Sequence, residues 1–399
     1  MKSIPVEKQC VKGDWTDTFW VMLANVLQGA GPFLALIIIT RLHGLGQAGQ
    51  FAYAQAVTIP VMQFLGFQLK ALVLTHRSDE VSLSIGAGIR VLTSCAGALL
   101  IAFLALFDAW LICFWIGARL VDSWAEIFQA DAQRSGQSRT AAFSLGSRTL
   151  CLLFAAAWAD NAEMVAKVYF SLSLILLVVF DWQFRSISMH WNWGRLSHLM
   201  QRGFVLGIVL FLQAMSSSIP RIMLERSSDA ATLGLFAALS VLLQTGNLIA
   251  SGYGQALIVK LGSAPVSQLV VWMSLPFCLA VLALCAQQIA EPLILSALQV
   301  SINPSAHETL LFLGIAQLTI WPAAMIGYAL TARRLYTELL WVGLSLVVVS
   351  ATMSMSLIPT YGAAGAAMSL ALTGLTTILM CFWFLVRSSA RVGSMEPAI

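Results

Sequence analysis

The chain is 399 residues long, 59% apolar and 10% charged, with a mean hydropathy of +0.84. A soluble protein would carry about 25% charged residues, so the composition leaves no room for a soluble domain. The formal charge of +4 is spread singly between apolar runs, which excludes a nucleic-acid surface and leaves the basic residues to set membrane topology.

The first sixteen residues are polar, with Lys2, Glu7, Lys8, Lys12 and Asp14, and no short apolar stretch with a small-residue cleavage site follows. The first apolar run is therefore expected to stay as a membrane helix. A crossing needs about 20 mostly apolar residues. Such runs fall at 18–40, 50–74, 91–107, 109–128, 141–158 and 164–180, then at 204–219, 232–259, 269–285, 310–330, 339–357 and 363–386. The apolar stretch 293–300 is too short to cross and reads as an extension or an interfacial turn. The fold expected is an all-α integral membrane protein of about twelve helices.

With the N-terminus placed in the cytoplasm, one side collects most basic residues, among them Lys70, Arg77, Arg90, Arg134, Arg139 and Arg334. The other side receives only Arg41, Lys167, Arg221 and Arg226. That asymmetry is the positive-inside bias, and it puts both termini in the cytoplasm. Six of the seven cysteines lie in or beside apolar runs and read as small apolar residues. No metal spacing and no phosphate loop of the Gly-x-x-x-x-Gly-Lys-Ser/Thr kind occurs, so neither a cofactor nor direct ATP coupling is expected.

Two charges break the pattern. Arg119 and Arg148 fall near the middle of the fourth and fifth spans, Arg119 about ten residues, or roughly 15 Å, from the outer end. A guanidinium at the bilayer centre costs about 2.5–3.5 kcal/mol, so it faces a bundle interior or a wet cavity, and a pair of them points to an anionic cargo. Asp122 and Glu126 follow Arg119 at i+3 and i+7 on the same helix face. Three readings stay open here: the arginines meet an anion, these acids satisfy them within the helix packing, or the fourth span begins later and Arg119 snorkels toward the cytoplasm.

Sliding the chain against itself by 185 residues lays Gly49-Gln50-Phe51-Ala52 over Gly234-Leu235-Phe236-Ala237, Ala71-Leu72 over Ala256-Leu257, and Arg41 over Arg226. The offset divides the chain into two sets of six helices in the same orientation, 1–195 and 196–399. Parallel repeats of this kind place a transporter's substrate site between the halves.

Several stretches resemble one family. Arg41-Leu42-His43-Gly44, followed by Gly49-Gln50-Phe51-Ala52 and Pro60, is similar to the opening of bacterial polysaccharide-biosynthesis flippases. These are the Wzx-type members of the multidrug/oligosaccharidyl-lipid/polysaccharide exporter superfamily. Ile219-Pro220-Arg221 with Gly234-Leu235-Phe236, the run Ile358-Pro359-Thr360-Tyr361-Gly362-Ala363-Ala364-Gly365-Ala366-Ala367, and Gln129-Ala130-Asp131-Ala132-Gln133-Arg134 resemble the same family. The resemblance implies two six-helix bundles of MATE-like arrangement around a V-shaped cavity, in the bacterial inner membrane. It further implies translocation of an undecaprenyl-diphosphate-linked oligosaccharide to the periplasmic leaflet by alternating access. Membrane lipids surround such a protein, and other polysaccharide-assembly proteins are candidate partners. The first span here holds only Asn25 and Gln28, where some relatives carry arginine.

Flipping breaks no bond, so no catalytic residue is sought. The site read from the residues has Arg119 and Arg148 holding the diphosphate through bidentate guanidinium bonds. Gln244 and Asn247 belong to a stripe, with Ser240 and Ser251, that is either a sugar-facing wall or polar glue between helices. Gln55 and Thr58 on the second span and Gln213 and Ser216 on the seventh add polar groups, and Pro60 is a candidate hinge. Arg41 and Arg221, near the outer ends, either receive the diphosphate after flipping or anchor the interface. Lys70 and Arg90, near the inner ends, either attract the head group or act as topology signals. Asp122 and Glu126 are the coupling candidates. A multidrug exporter of the same superfamily would be expected to line its cavity with acids, and a membrane polymerase or glycosyltransferase to carry a long outer loop; every outer loop here is short.

Overall fold

A computed structural model of the chain describes residues 15–67, 69, 83–134, 137–180, 193–298 and 304–393. Twelve helices follow one another and no strand occurs among the described residues: α1 (Trp15–Gly66), α2 (Leu83–Ala105), α3 (Trp110–Arg134), α4 (Ser138–Trp158), α5 (Ala162–Phe180), α6 (Trp193–Ser227), α7 (Ala230–Ala256), α8 (Ile258–Ser263), α9 (Val266–Ile289), α10 (Glu291–Ala297), α11 (Pro304–Ala332) and α12 (Tyr336–Gly393).

Two of these are double. α1 leaves helical geometry only at Gly44, with φ 81° and ψ 173°, a conformation essentially reserved to glycine. Pro32 and Met62 line one cavity, yet in a straight helix they would lie about 45 Å apart. The chain therefore doubles back at Gly44, and α1 is two crossings. α12 does the same at Gly362, φ 53°. Ser354 and Ser369, which a straight helix would hold about 22 Å apart, share a 2.9 Å hydroxyl–hydroxyl bond. What the sequence suggests as two short loops is in each case a single glycine.

Nine helices among the described residues are long and apolar enough to cross a membrane, the two doubled ones included. α3 falls outside that set because Arg119, Asp122 and Glu126 lie within it, and it completes the twelve crossings. The chain is a multi-pass membrane protein. α8 and α10, the latter overlapping the apolar stretch 293–300 read as an extension or an interfacial turn, are too short to cross.

The outer surface is apolar: Leu99, Phe154, Val179, Val271 and Leu282 are exposed. Inside, small residues dominate the helix contacts, among them Ala35, Ala118, Ala155, Ala237 and Ala366, as expected where lipid gives no hydrophobic drive for association and close packing must supply it. Helices α2–α5 pack on one another and on α1; α6, α7, α9, α11 and α12 form a second group; α1 touches both through α6 and α7.

The sequence repeat is visible at that seam. A side chain at Gly49 would overlap the carbonyl of Ala230, and one at Gly234 would overlap the carbonyl of Leu45. Each contact maps onto the other under the 185-residue offset, so the two helix backbones meet across a local two-fold relation. Asp229 caps α7 beside this contact, accepting the Thr232 amide at 3.0 Å as well as the Thr232 hydroxyl. Those bonds hold its carboxyl below the usual range.

A second glycine notch joins α7 to α11. The Trp321 indole lies where a Gly246 side chain would go, and its Nε1 donates to the Leu243 carbonyl at 3.0 Å. Gly246→Ala is expected to destabilise the protein by about 1–3 kcal/mol through overpacking. Thermal unfolding in detergent should show the loss, and Trp321→Leu on the Gly246→Ala background should recover part of it.

Candidate functional site

Arg90 of α2, Arg119, Asp122 and Glu126 of α3, and Arg148 of α4 converge on one cavity of about 480 Å³. Its walls come from both arms of α1 (Gln28 to Phe33, and Ile59 to Gly66), from Arg90 of α2, from α3 and α4, and from Tyr169 of α5; Leu248 of α7 closes it from the second helix group.

Asp122 is the hub. Its Oδ1 accepts Arg148 Nη1 at 2.8 Å and its Oδ2 accepts the Tyr169 hydroxyl at 2.8 Å. Arg119 Nη1 stands off at 3.7 Å, its guanidinium resting over the Trp115 ring, 5.1 Å from the centroid. One helical turn along, Glu126 accepts Gln28 Nε2 at 3.2 Å and Arg90 Nη2 at 3.5 Å. Arg90 also donates to the Leu65 carbonyl at 3.4 Å.

Asp122 pairs closely with Arg148 and more loosely with Arg119, as in the acid-pairing reading, whereas Glu126 pairs with Arg90 rather than Arg119. Asp122 gives its short bonds to Arg148 and Tyr169, and Glu126 turns to Arg90 and Gln28, so Arg119 keeps only the longer 3.7 Å contact with Asp122. Side-chain exposures are 1% for Arg90, 5% for Arg148 and 25% for Arg119. Arg90 and Arg148 are locked into the wall, and Arg119 is the guanidinium presented to the cavity. Three guanidiniums face two carboxylates, so the site carries an excess of positive charge. Groups at such spacing interact by about 4 kcal/mol in a medium of effective dielectric 20. An anion entering the cavity completes the charge balance; a cation opposes it.

Of the residues singled out in the sequence, Arg119, Arg148, Asp122, Glu126, Arg90 and Gln28 line this cavity. Gln244, Asn247, Arg41 and Arg221 do not. Gln244 Nε2 is turned onto Ser240 of its own helix at 3.2 Å, and Asn247 is half-buried beside Leu248. Arg41 Nε donates to the Ala297 carbonyl at the end of α10, which ties the Gly44 bend to the second helix group. Arg221 is half-buried in α6. α1 runs through Pro60 without leaving helical geometry. Lys70 lies outside the described residues.

A span that starts at Val91 puts Arg90 at a helix end. α2 instead begins at Leu83, which carries Arg90 a full two turns inside. The apolar run Ile85-Gly86-Ala87-Gly88-Ile89 ahead of it is the signal in the sequence. Tyr169 carries no such signal, because nothing in sequence links it to Asp122, 47 positions away.

No family model matches the sequence. Among characterised proteins it is similar to the capsular polysaccharide biosynthesis protein CapF of Staphylococcus aureus, 23% identical over 256 residues, which is 61% of this chain and 64% of that protein. The match thus spans less than two thirds of the relative's length. Among solved structures it is similar to lipid II flippase MurJ in an inward closed conformation, with a TM-score of 0.67, 12% identity and 94% and 88% of the two chains covered. The MATE multidrug transporter DinF-BH gives a TM-score of 0.67 at 12% identity, covering 94% of each chain. An inward-facing multidrug resistance MATE family transporter of the MOP superfamily gives 0.63 at 12%, covering 95% and 96%. At these identities the likeness establishes the fold, a MATE-type arrangement of about twelve helices.

Proposed function

We propose that this chain is a flippase that carries a lipid-diphosphate-linked oligosaccharide, such as a capsule, O-antigen or exopolysaccharide repeat unit on undecaprenyl diphosphate, across the bacterial inner membrane. The observation that carries the reading is the guanidinium of Arg119, a quarter exposed and only loosely held by Asp122 at 3.7 Å, in a cavity whose arginines outnumber its acids. A diphosphate needs such a group midway through hydrocarbon, where each unpaired polar group costs several kcal/mol. The similarity to CapF, named for capsular polysaccharide biosynthesis, and the fold shared with a lipid II flippase support the same substrate class. A cationic drug would meet net positive charge here, which disfavours a multidrug exporter. Nothing in the transport cycle calls for a catalytic residue, and the similar folds belong to transporters.

In this reading the halves 1–195 and 196–399 rock about the α1–α7 seam, with both termini cytoplasmic. Arg119 takes the diphosphate, Arg148 stays with Asp122 as its support, and Asp122 and Glu126 are the carboxylates through which a driving proton or sodium ion would couple the cycle. Arg41 and Arg221 act at the outer side, as a tie and an anchor.

A strain lacking this protein should accumulate lipid-linked oligosaccharide on the cytoplasmic leaflet. Wild type should clear it, and Arg119→Ala, expressed at a normal level, should not. Clearance by Arg119→Ala equal to wild type would remove the site; no accumulation in the deletion strain would remove the flippase.

A further inference from the structure

The wall of the cavity continues beyond the arginines. α3 presents Arg119, Asp122 with Ser123, Glu126 and Gln129 along one stripe, at i, i+3 with i+4, i+7 and i+10. Gln129 therefore stands about 15 Å from Arg119 along the helix axis, at the end of the cavity nearer the α3–α4 turn. It is 2% exposed. Its Nε2 donates to Ser144 Oγ at 3.1 Å, and its buried Oε1 finds no partner among the described protein atoms. Turning the amide over does not help: Ser144 would then donate to Oε1 and leave Nε2 unpaired.

A second buried group at this end is in the same condition. Arg90 is 1% exposed and lines the cavity, and its Nε–H has no partner among the described protein atoms, although both of its Nη groups are engaged. Gln28 and Gln63 line the cavity beside them. Buried polar groups in folded proteins are paired with few exceptions, and each exception calls for a reason. Here one unpaired amide atom and one unpaired donor belong to residues that line the same cavity as Arg119. A sugar ring fits that demand, since every hydroxyl both donates and accepts.

We propose that Gln129, with Arg90 Nε and Glu126, forms a saccharide subsite that holds the sugar proximal to the diphosphate. The proposal rests on the diphosphate reading of Arg119, and it moves sugar recognition from the α7 stripe of Gln244 and Asn247 to the α3 stripe. The Gln129 amide accepts a ring hydroxyl, Arg90 Nε donates to another, and Glu126 accepts at the cavity side.

The test uses the full chain in lipid nanodiscs and two soluble probes, farnesyl diphosphate and farnesyl-diphosphate-linked N-acetylglucosamine. Wild type should bind the sugar-bearing probe more tightly. Gln129→Met should weaken that probe about 5- to 10-fold, the worth of one neutral hydrogen bond, and leave the sugarless probe unchanged, which also shows that the variant is folded. Arg119→Gln should weaken both. A Gln129→Met effect that is equal on the two probes, or absent from both, overturns the subsite. Equal binding of the sugarless probe to wild type and Arg119→Gln overturns the diphosphate reading instead. On wild-type protein, deoxy analogues of the sugar-bearing probe give an independent check: one of them should lose a similar factor, and no loss across the series overturns the subsite.

Discussion

Alanine at Gly49 or Gly234 is expected to abolish transport by forcing apart the start of the second arm of α1 and the start of α7, which meet at the seam. At both positions the added methyl would meet a backbone carbonyl, of Ala230 or of Leu45, and a backbone atom cannot rotate away as a side chain can. Overpacking costs about 1–3 kcal/mol where neighbours can adjust. With backbone as the obstacle the upper end applies, and about 3 kcal/mol shifts a closed-to-open ratio roughly a hundredfold. Because the contact is reciprocal, the two single substitutions should act alike. Spin labels at Arg41→Cys and Arg226→Cys, positions related by the repeat, report the outcome in a cysteine-free background. The distance distribution should lengthen in either alanine variant, while unchanged distances with transport intact would show that the seam has no part in gating.

The second large effect separates two arginines that look equivalent in sequence. Arg148→Ala or Asp122→Ala breaks a buried 2.8 Å pair and leaves a charge without its partner, which costs about 3–5 kcal/mol. Arg119, a quarter exposed and 3.7 Å from Asp122, contributes no more than about 1 kcal/mol to stability. Arg119→Ala should therefore unfold close to the wild-type temperature yet fail to transport, whereas Arg148→Ala should lose stability and abundance together. The double change Arg148→Met with Asp122→Leu should be less damaging to stability than either alanine variant, since removing both members of the pair leaves neither charge facing an empty place. Thermal unfolding of the four purified variants decides. A larger loss for Arg119→Ala than for Arg148→Ala would reverse the assignment of roles.

Much of the fold is legible in the sequence because membrane helices announce themselves by length and apolarity alone. The crossings, their number and the repeat that brings Gly49 against Gly234 all follow from local composition and a fixed offset. The connections are less legible. Gly44 and Gly362 each turn the chain with a single positive-φ residue, so what looks like a loop between two spans is a bend within one helical run. Within the site, Arg119, Arg148, Asp122 and Glu126 stand out because charge inside hydrocarbon is conspicuous. Their pairing does not, since Arg148 reaches Asp122 across 26 positions and Arg90 reaches Glu126 across 36. Intrahelical spacing offers Arg119 as the partner of both acids; the tertiary contacts give the acids to its neighbours. Gln244 and Asn247 form a convincing polar stripe, but Gln244 bonds back to Ser240 one turn away, which a stripe pattern cannot distinguish from a ligand-facing wall.

The central claim, that the cavity arginine carries a lipid-linked diphosphate across the bilayer, is tested most directly by translocation in proteoliposomes. Purified wild type and Arg119→Ala would be reconstituted with a fluorescent undecaprenyl-diphosphate saccharide, and movement between leaflets read by quenching from outside. Wild type should exchange the lipid between leaflets, and Arg119→Ala should fall to the rate of protein-free vesicles while remaining folded. Exchange by Arg119→Ala at the wild-type rate, or none by wild type in vesicles where it is folded and free to cycle, would contradict the account.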